Sequence, residues 1–423
     1  MRKFLKTIIK GTLFCLLLLA ASLTVCLAAG LVKLPDTGEQ VCEVPAVRVI
    51  EPLSSEAAEQ EEQAGQLDTP EQEETSEQEN VSEQEAPSEQ EEFSEQEPVT
   101  LLFGGDLFLT DLLQSKYRQQ GISAAASEEL LPVLRGADLL MLNQEFPFGT
   151  TGEPMEEKQY TFRVDPGYVS VLTDLGVDIV TLANNHMLDF GRGPLTETLA
   201  ALDGAGIAHV GAGENLDEAR ALKTFEIGGR TIGFLGASRV IPEYSWNASA
   251  DGSGLFTTYD AKALVEEIRR AEEGCDFTVV YVHWGIERST QPEEYQRTLA
   301  RQYIDAGADA VIGSHPHVLQ GIEYYQGKPI FYSLGNFIFS NGSYETMLAE
   351  LTLEENGTGI RLIPCVSEAN QMRLLGESAC PAFYQSLESL SAGIAIDGNG
   401  RVSARQPGAA GVQENVPGAV PAE

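Results

Sequence analysis

The 423-residue chain is short of basic residues. It has 27 Lys and Arg against 64 Asp and Glu, which gives a formal net charge of −37. Outside the first ten residues, Lys and Arg form no cluster. Proteins that bind nucleic acids contact the phosphates through clustered Lys and Arg. The composition therefore argues against a nucleic-acid partner.

Cysteine is scarce, and no two cysteines have the CxxC spacing. Two of the six lie in an apolar run near the N-terminus, Cys15 and Cys26. The other four are scattered: Cys42, Cys275, Cys365 and Cys380. This spacing indicates neither a cysteine zinc site nor a disulfide framework. A Cys365–Cys380 bridge stays open.

The acidic charge is concentrated in one segment without basic residues. Residues 51–97 contain 18 Asp and Glu and no Lys or Arg, and SEQE recurs there every six residues, at 76, 82, 88 and 94. Such a composition has too little apolar surface to bury a core. We therefore predict a disordered acidic linker over residues 34–97. A low-complexity tail is predicted over residues 386–423.

Only one long uncharged run is present, and it follows a basic N-terminus. Residues 11–32 contain no charged side chain, whereas MRKFLKTIIK before them is basic. A run of this length can span a bilayer as a helix, and the basic flank stays in the cytoplasm. We predict a signal anchor over residues 1–33, which makes a single-pass protein of the cell membrane with an extracellular C-terminal domain. The alternative is a cleaved signal peptide, for which Leu27-Ala28-Ala29 is a poor cleavage site.

Residues 98–385 have the character of a globular domain in which strands alternate with helices. Predicted strands are Val99–Phe103, Leu139–Leu142, Asp178–Leu182, Thr231–Leu235, Phe277–Val282, Ala310–Ile312 and Ile330–Tyr332. Predicted helices are Glu128–Arg135, Pro166–Leu175, Pro194–Ala205, Ala261–Glu273 and Glu293–Ala306. Two later runs alternate like paired edge strands, Thr346–Leu353 and Ile360–Cys365. This alternation predicts an α/β domain.

Histidine is also rare, with five in the chain, yet four of the five follow predicted strands. Polar residues at five strand ends include Asp106, Glu145, Asn185, His186, His283, His315 and His317. In α/β sheets, ligand sites collect at the carboxyl ends of strands, and imidazole with carboxylate suits first-row divalent metals. In extended backbone, His315 and His317 point to the same face. We expect these groups to converge on one metal site, and His209 to be structural.

Six strings occur in an order that resembles a known family. They are GGDLFLT, NQEFPF, LANNHMLDFG, VHWGIE, IGSHPHVLQGIE and YSLGNFIF. The chain resembles the CapA family, with its PGA_cap domain, over about residues 98–370. Members are associated with bacterial capsule and poly-γ-glutamate synthesis. The family is similar in fold to the calcineurin-like metallophosphoesterases, so the resemblance implies a four-layer α/β/β/α sandwich with a two-metal site between its sheets.

The resemblance also implies a role for each matching residue. It makes metal ligands of Asp106, Glu145, Asn185, His283, His315 and His317, with Glu145 as the bridging carboxylate. His186 would protonate a leaving group, and Asp189 either orients His186 or caps a helix. The phosphoesterase pattern has a histidine where Phe108 stands.

That substitution at Phe108 leads us to expect one tightly held divalent ion and a second that is loosely held or absent. The metal would be Mn, Fe or Zn. Asn336 either belongs to the site or caps a turn.

Two functions remain open at this stage. The first is a membrane-anchored, metal-dependent hydrolase that uses metal-activated water in the synthesis or processing of an anionic capsular polymer. The second is a non-catalytic binding or scaffold component of a polymer synthesis or export complex. Both hypotheses give the protein the membrane as a partner, together with the polymer and other capsule-synthesis proteins. Retention of seven polar site residues favours the hydrolase, because unpaired polar groups are costly to bury.

Overall fold

The structure is a computed structural model that describes residues 98–355, 357–368 and 370–405. The predicted anchor at 1–33, the predicted linker at 34–97 and the end of the predicted tail lie outside these residues. Within the described part of the chain, no helix combines the length and apolarity that crossing a membrane requires.

The described residues form 18 strands. In chain order these are β1 Val99–Leu107, β2 Leu139–Gln144, β3 Ile179–Thr181, β4 Ala208–Val210, β5 Ala212–Gly213, β6 Lys223–Ile227, β7 Arg230–Ser238, β8 Gly254–Leu255, β9 Phe277–His283, β10 Ala310–Ser314, β11 Ile322–Tyr325, β12 Lys328–Phe331, β13 Asn336–Ile338, β14 Tyr344–Glu354, β15 Gly357–Glu368, β16 Gln371–Leu374, β17 Ile394–Ile396 and β18 Val402–Ala404. All seven predicted apolar strands are present. The two runs predicted as paired edge strands form β14 and β15, which do pair, but both lie inside the larger sheet and not at its edge.

Eight α-helices lie between and after the strands. They are α1 Asp111–Gln120, α2 Leu131–Gly136, α3 Val169–Leu175, α4 Arg192–Ala205, α5 Leu216–Ala219, α6 Lys262–Glu272, α7 Glu294–Asp305 and α8 Cys380–Leu390. Short 3₁₀ turns occupy Gly121–Ala124, Pro166–Tyr168 and Tyr244–Trp246. Local chemistry fixes several helix starts: Thr110 accepts a hydrogen bond from the backbone N–H of Leu113, and Glu293 forms a capping box with Gln296.

Two sheets carry the domain. The larger has the order β16-β15-β14-β1-β2-β3-β4, with β13 also paired to β1, and the smaller has the order β11-β12-β10-β9-β7-β6. Strands β1 to β4 and β13 run parallel, and so do β7, β9, β10 and β12. Each sheet therefore gathers the carboxyl ends of several parallel strands along one edge.

The apolar side chains divide into three layers. Residues that alternate inward from both sheets, such as Phe103, Phe234 and Tyr281, form one cluster between the sheets. The opposite face of the larger sheet packs on α1 to α4, and the opposite face of the smaller sheet packs on α6 and α7. The order helix, sheet, sheet, helix makes a mixed α/β domain. It is consistent with the metallophosphoesterase-like fold that the resemblance implies.

Two segments extend further than the sequence predicts. Strand β1 continues past Phe103 to Leu107, with an irregularity in its register before Asp106. Helix α8 crosses the predicted domain boundary at residue 385, and the paired strands β17 and β18 follow it. The folded domain therefore includes the described part of the predicted tail.

A hydrogen bond joins the two sheets near their carboxyl edges. The hydroxyl of Tyr281 in β9 donates a hydrogen bond to the carbonyl of Gly104 in β1 at 2.9 Å. The next residue, Gly105, lies so close to the loop before β13 that a Cβ there would be 1.8 Å from the carbonyl oxygen of Gly335. That carbonyl accepts a hydrogen bond from the backbone N–H of Asp106 at 2.8 Å. This close contact fixes the position of Asp106.

Candidate metal centre

The seven residues singled out in the sequence meet where the carboxyl edges of the two sheets face each other. The larger sheet supplies Asp106 from β1, Glu145 after β2, and Asn185 and His186 after β3. The smaller sheet supplies His283 from β9, and His315 and His317 after β10. The carboxylates of Asp106 and Glu145 and the imidazole of His283 are fully buried.

One group of possible ligands consists of Glu145, His283 and His315. Their donor atoms all lie within 4.8 Å of one another. Nε2 of His283 is 3.1 Å from Nδ1 of His315 and 3.7 Å from Oε1 of Glu145. The side-chain oxygen of Asn185 lies 2.8 Å from the same Nε2. Two imidazoles, a carboxylate and an amide oxygen thus face one point.

A second group consists of Asp106, Glu145 and His317, again within 4.8 Å. Nδ1 of His317 is 3.2 Å from Oδ2 of Asp106, and its Nε2 is 3.7 Å from Oε1 of Glu145. Glu145 belongs to both groups, which is the placement expected of a carboxylate between two metal positions. The Asn336 side chain lies 2.8 Å from Nδ1 of His317, so Asn336 belongs to this cluster.

The residues present fit a divalent cation. Oε1 of Glu145 is buried and has no hydrogen-bond partner, although ring nitrogens of His283 and His317 lie 3.7 Å away. An unpaired buried carboxylate oxygen is costly. A cation held among these atoms would compensate that charge, and imidazole with carboxylate is a donor set that first-row divalent metals favour.

Burial and neighbouring charges shift the pKa values of the two carboxylates, Glu145 and Asp106. Burial raises the pKa of Glu145 well above its usual value, and the adjacent Asp106 charge raises it further. Burial also acts to raise the pKa of Asp106, but the hydrogen bond and charge of His317, the hydrogen bond from Asn143 and the charge of His315 together outweigh it, and the pKa of Asp106 falls. The contacts with His317 and Asn143 therefore stabilise the charged form of Asp106.

The other two imidazoles are held neutral. Burial lowers the pKa of His315 to about 3, and the charge of His317 contributes to this shift. Burial and the neighbouring histidines place the pKa of His283 well below its usual value. A neutral imidazole has a nitrogen lone pair available, which is the form that binds a metal.

His186 lies beside the cluster and is held by Asp189. Nδ1 of His186 is 2.7 Å from Oδ2 of Asp189, and its Nε2 is 3.9 Å from Oε1 of Glu145. The ring of Phe162 stacks on the imidazole with centroids 4.1 Å apart. Asp189 is fully buried and α4 has no side-chain cap, so the structure favours the orienting role of Asp189 over the capping role.

The histidine pair converges for a different reason than the sequence suggested. Strand β10 ends at Ser314, so the assumption of extended backbone through His315 and His317 is wrong. Both residues have positive φ, 99° for His315 and 58° for His317, which residues other than glycine seldom adopt. The chain turns at each histidine, and this turn aims both rings into the cluster.

Two residues near the centre, Asn143 and Phe108, make side-chain contacts that the sequence did not predict. Nδ2 of Asn143 donates a hydrogen bond to Oδ1 of Asp106 at 2.8 Å and lies 3.3 Å from Nδ1 of His283. Its place at the end of β2, inside the NQE string, was the available signal. The ring of Phe108 stacks on that of Phe162, with centroids 4.0 Å apart, and Phe162 in turn stacks on His186.

A cavity of ≈ 260 Å³ adjoins the cluster at His317 and Asn336. It extends toward α8, where Phe383 and Leu387 line it, and hydroxyl side chains contribute to its wall. Within the second group of donor residues, His317 is the one that lines this cavity.

Fold and site together define a class: an α/β protein of two facing sheets with a buried centre of histidine, carboxylate and asparagine groups suited to a divalent metal. Comparison of sequences supplies the family. The family described as bacterial capsule synthesis protein PGA_cap matches residues 100–341, and the chain belongs to this family.

Individual relatives agree with that assignment. The chain is 32% identical over 261 residues to the PGA biosynthesis protein CapA of Bacillus subtilis (strain 168), a match that covers 60% of this chain and 68% of that protein. It is 31% identical to the capsule biosynthesis protein CapA of Bacillus anthracis, across 54% of this chain and 58% of that protein. A probable polyglutamine synthesis accessory protein of Mycobacterium tuberculosis (H37Rv) is 34% identical, across 53% and 63%.

Solved structures give a weaker similarity. A 5'-nucleotidase from Candida albicans SC5314 superposes with a TM-score of 0.35 and 12% identity, over 63% of this chain and 51% of that chain.

Proposed function

We propose that the protein is a metal-dependent hydrolase that acts in the synthesis or processing of a capsular polymer of the poly-γ-glutamate type. The capsular role follows the family to which the chain belongs. The hydrolytic role is supported by the geometry of the centre. The substrate bond would be a phosphoester or an amide of an anionic polymer.

One observation carries the proposal more than any other. Glu145 lies between two groups of donor atoms, and its Oε1 is buried without a hydrogen-bond partner. A binding scaffold has no physical need for a buried, unpaired carboxylate oxygen beside three histidines. A site that holds divalent cations does need it.

Each residue has a distinct part in the proposed reaction. Asp106, Asn185, His283, His315 and His317 would hold divalent metal together with Glu145. A bound metal would supply a water of lowered pKa and would polarise the substrate oxygen. His186, whose Nε2 faces the cluster, would give a proton to the leaving group, and Asp189 fixes the imidazole through Nδ1.

The proposal also covers the location of the protein, its partners and its metal. The sequence features of residues 1–33 support a membrane anchor with the domain outside the cell. The partners would be the membrane, an anionic polymer and other capsule-synthesis proteins. The metal would be Mn, Fe or Zn, with one ion held more tightly than the other.

The test compares metal content and activity in the same preparations. The full chain is stripped of metal, reloaded with Mn²⁺ or Zn²⁺ and analysed for bound metal. Wild type should bind at least one ion, and the His315→Ala, His317→Ala double variant should lose it together with any hydrolysis of bis(p-nitrophenyl) phosphate or poly-γ-glutamate. The matched control is His209→Ala, because His209 lies in β4 and contacts Asp203, outside the centre.

The alternative is a binding or scaffold component of a polymer synthesis or export complex. It would be favoured if the double variant restored capsule formation as well as wild type does in a capsule-forming strain that lacks its own homologue. Wild-type protein that binds no divalent metal would refute the hydrolase.

A further inference from the structure

One lysine, Lys158, contacts the far side of the His186–Asp189 pair. Its Nζ donates hydrogen bonds to Oδ1 of Asp189 and to the backbone carbonyl of Asn185, and lies 3.2 Å from Nδ1 of His186. The side chain is only 15% exposed. The Trp246 ring covers Nζ at 5.2 Å from its centroid. The long loop between β2 and α3 thus places a buried cation against the candidate proton donor.

The contacts of Asp189 show what this cation does. Oδ2 of Asp189 accepts a hydrogen bond from the backbone N–H of Phe162 at 2.7 Å and faces Nδ1 of His186 at 2.7 Å. A carboxylate can only accept, so Nδ1 of His186 carries the proton in that contact. Lys158 therefore cannot donate to the same nitrogen. It acts on Oδ1 of Asp189, where it compensates the buried negative charge.

The same loop covers the imidazole. The backbone N–H of Met155 donates to the carbonyl of Asp189 at 2.8 Å, and the Phe162 ring stacks on His186. Trp246 comes from the segment after β7, in the other sheet. Lys158 consequently joins loops from both sheets over His186.

We propose that Lys158 is a positioning residue, which holds Asp189 so that Nε2 of His186 stays directed at the metal centre. This inference rests on the proposed function only for the use of His186 in a reaction. Without Lys158, a fully buried carboxylate would be left with uncompensated charge, which is strongly unfavourable. Asp189 would then move toward water or other donors, and His186 would lose its fixed orientation.

Histidine-selective NMR tests the positioning directly. The chain has five histidines, so a full chain labelled with [¹⁵N]histidine and stripped of metal gives few imidazole signals, and His186→Ala identifies the one of interest. Wild type should show His186 protonated at Nδ1 in one sharp signal. Lys158→Met should broaden or shift that signal, and Lys158→Arg, which retains a cation, should largely restore it.

The matched control removes a different cation from the same loop. Arg163 donates hydrogen bonds to the carbonyls of Thr151 and Gly152 and lies over the Phe190 ring, and it has no hydrogen bond or ion pair to Asp189. Arg163→Met should therefore leave the His186 signal in place. A wild-type His186 signal in Lys158→Met, or an equal loss in Arg163→Met, would overturn the proposal.

Kinetics and a double variant complete the test. With Mn²⁺ bound, Lys158→Met should keep its metal content and KM for bis(p-nitrophenyl) phosphate but lower kcat by about 10–100-fold, as loss of an outer-shell partner does. If wild type shows no hydrolysis, the proposed function fails while the NMR result still decides the positioning.

If Lys158→Met does not fold, the test is made in the Asp189→Asn variant. There the charge is absent, so adding Lys158→Met should change the His186 signal no further, and a further change would contradict the proposal.

Discussion

At the scale of single residues, a few side chains of the centre each contact several other groups. Glu145 serves both groups of donor atoms, and Asn143 contacts both Asp106 and His283. Asp189 serves His186, Lys158 and the backbone of Phe162. Substitution of a shared residue therefore affects several contacts at once, whereas His186 can be removed without removing a predicted ligand.

Replacing His186 by Ala should separate metal binding from turnover. The imidazole lies beside both groups of donor atoms but belongs to neither. We expect His186→Ala to retain its Mn²⁺ and to slow turnover by about 10²–10⁴-fold, the usual contribution of a general acid. Metal analysis and steady-state kinetics with bis(p-nitrophenyl) phosphate measure the two effects. Loss of metal in this variant would instead make His186 a ligand.

At the scale of secondary-structure elements, the site depends on how closely two strands approach. Strands β1 and β13 pair in parallel with Asp106 opposite Asn336. The backbone at Gly105 touches the loop before β13, so the distance between Asp106 and Asn336 is set by a contact between main chains. This contact admits no side chain at residue 105.

Replacing Gly105 by Ala should disrupt that approach. The added Cβ would lie 1.8 Å from the carbonyl oxygen of Gly335, a backbone atom that cannot give way locally. We expect a loss of about 1–3 kcal/mol or more in the free energy of unfolding, measured in urea by circular dichroism, and weaker Mn²⁺ binding. Gly204→Ala is the control, since nothing lies within 4 Å of that Cβ in α4. It should stabilise the protein by about 0.5–1 kcal/mol. Wild-type stability in Gly105→Ala would show that the strands can separate without cost.

At the scale of the whole molecule, the sequence joins a basic, apolar N-terminus and an acidic segment to one folded domain. The uncharged run of residues 11–32 predicts that the chain stays with the membrane. The folded domain would then work at a distance from the bilayer, beyond the predicted linker.

Cell fractionation tests this arrangement. We expect the full chain in the membrane fraction, and the domain of intact cells to be digested by added protease, because the basic flank keeps the N-terminus inside. A cytoplasmic protein of the same cells, which the protease should spare, is the control. Release of the domain into the medium, with a new N-terminus after residue 29, would indicate the cleaved signal peptide instead.

The sequence by itself determined the class of fold and the identity of the central residues. Apolar runs such as Phe277–Val282 mark strands because a strand buried on both faces needs them, and polar residues directly after such runs must lie at a sheet edge. Asp106, Glu145, Asn185, His283 and the two later histidines were candidates on that basis, and the family resemblance singled them out from their polar neighbours. The predicted boundary at residue 385 fell too early, because α8 continues to Leu390 and the paired strands β17 and β18 follow it.

Only the tertiary structure decided how these residues meet. Lys158 lies in a loop without periodicity, and it reaches Asp189 because two separate segments fold over His186. The turns at His315 and His317 use positive φ, which no local sequence rule assigns to histidine; the surrounding packing imposes it. Contacts between groups far apart in the chain, such as Asp106 with the backbone of His315, arise from sheet packing, and local sequence carries no record of it.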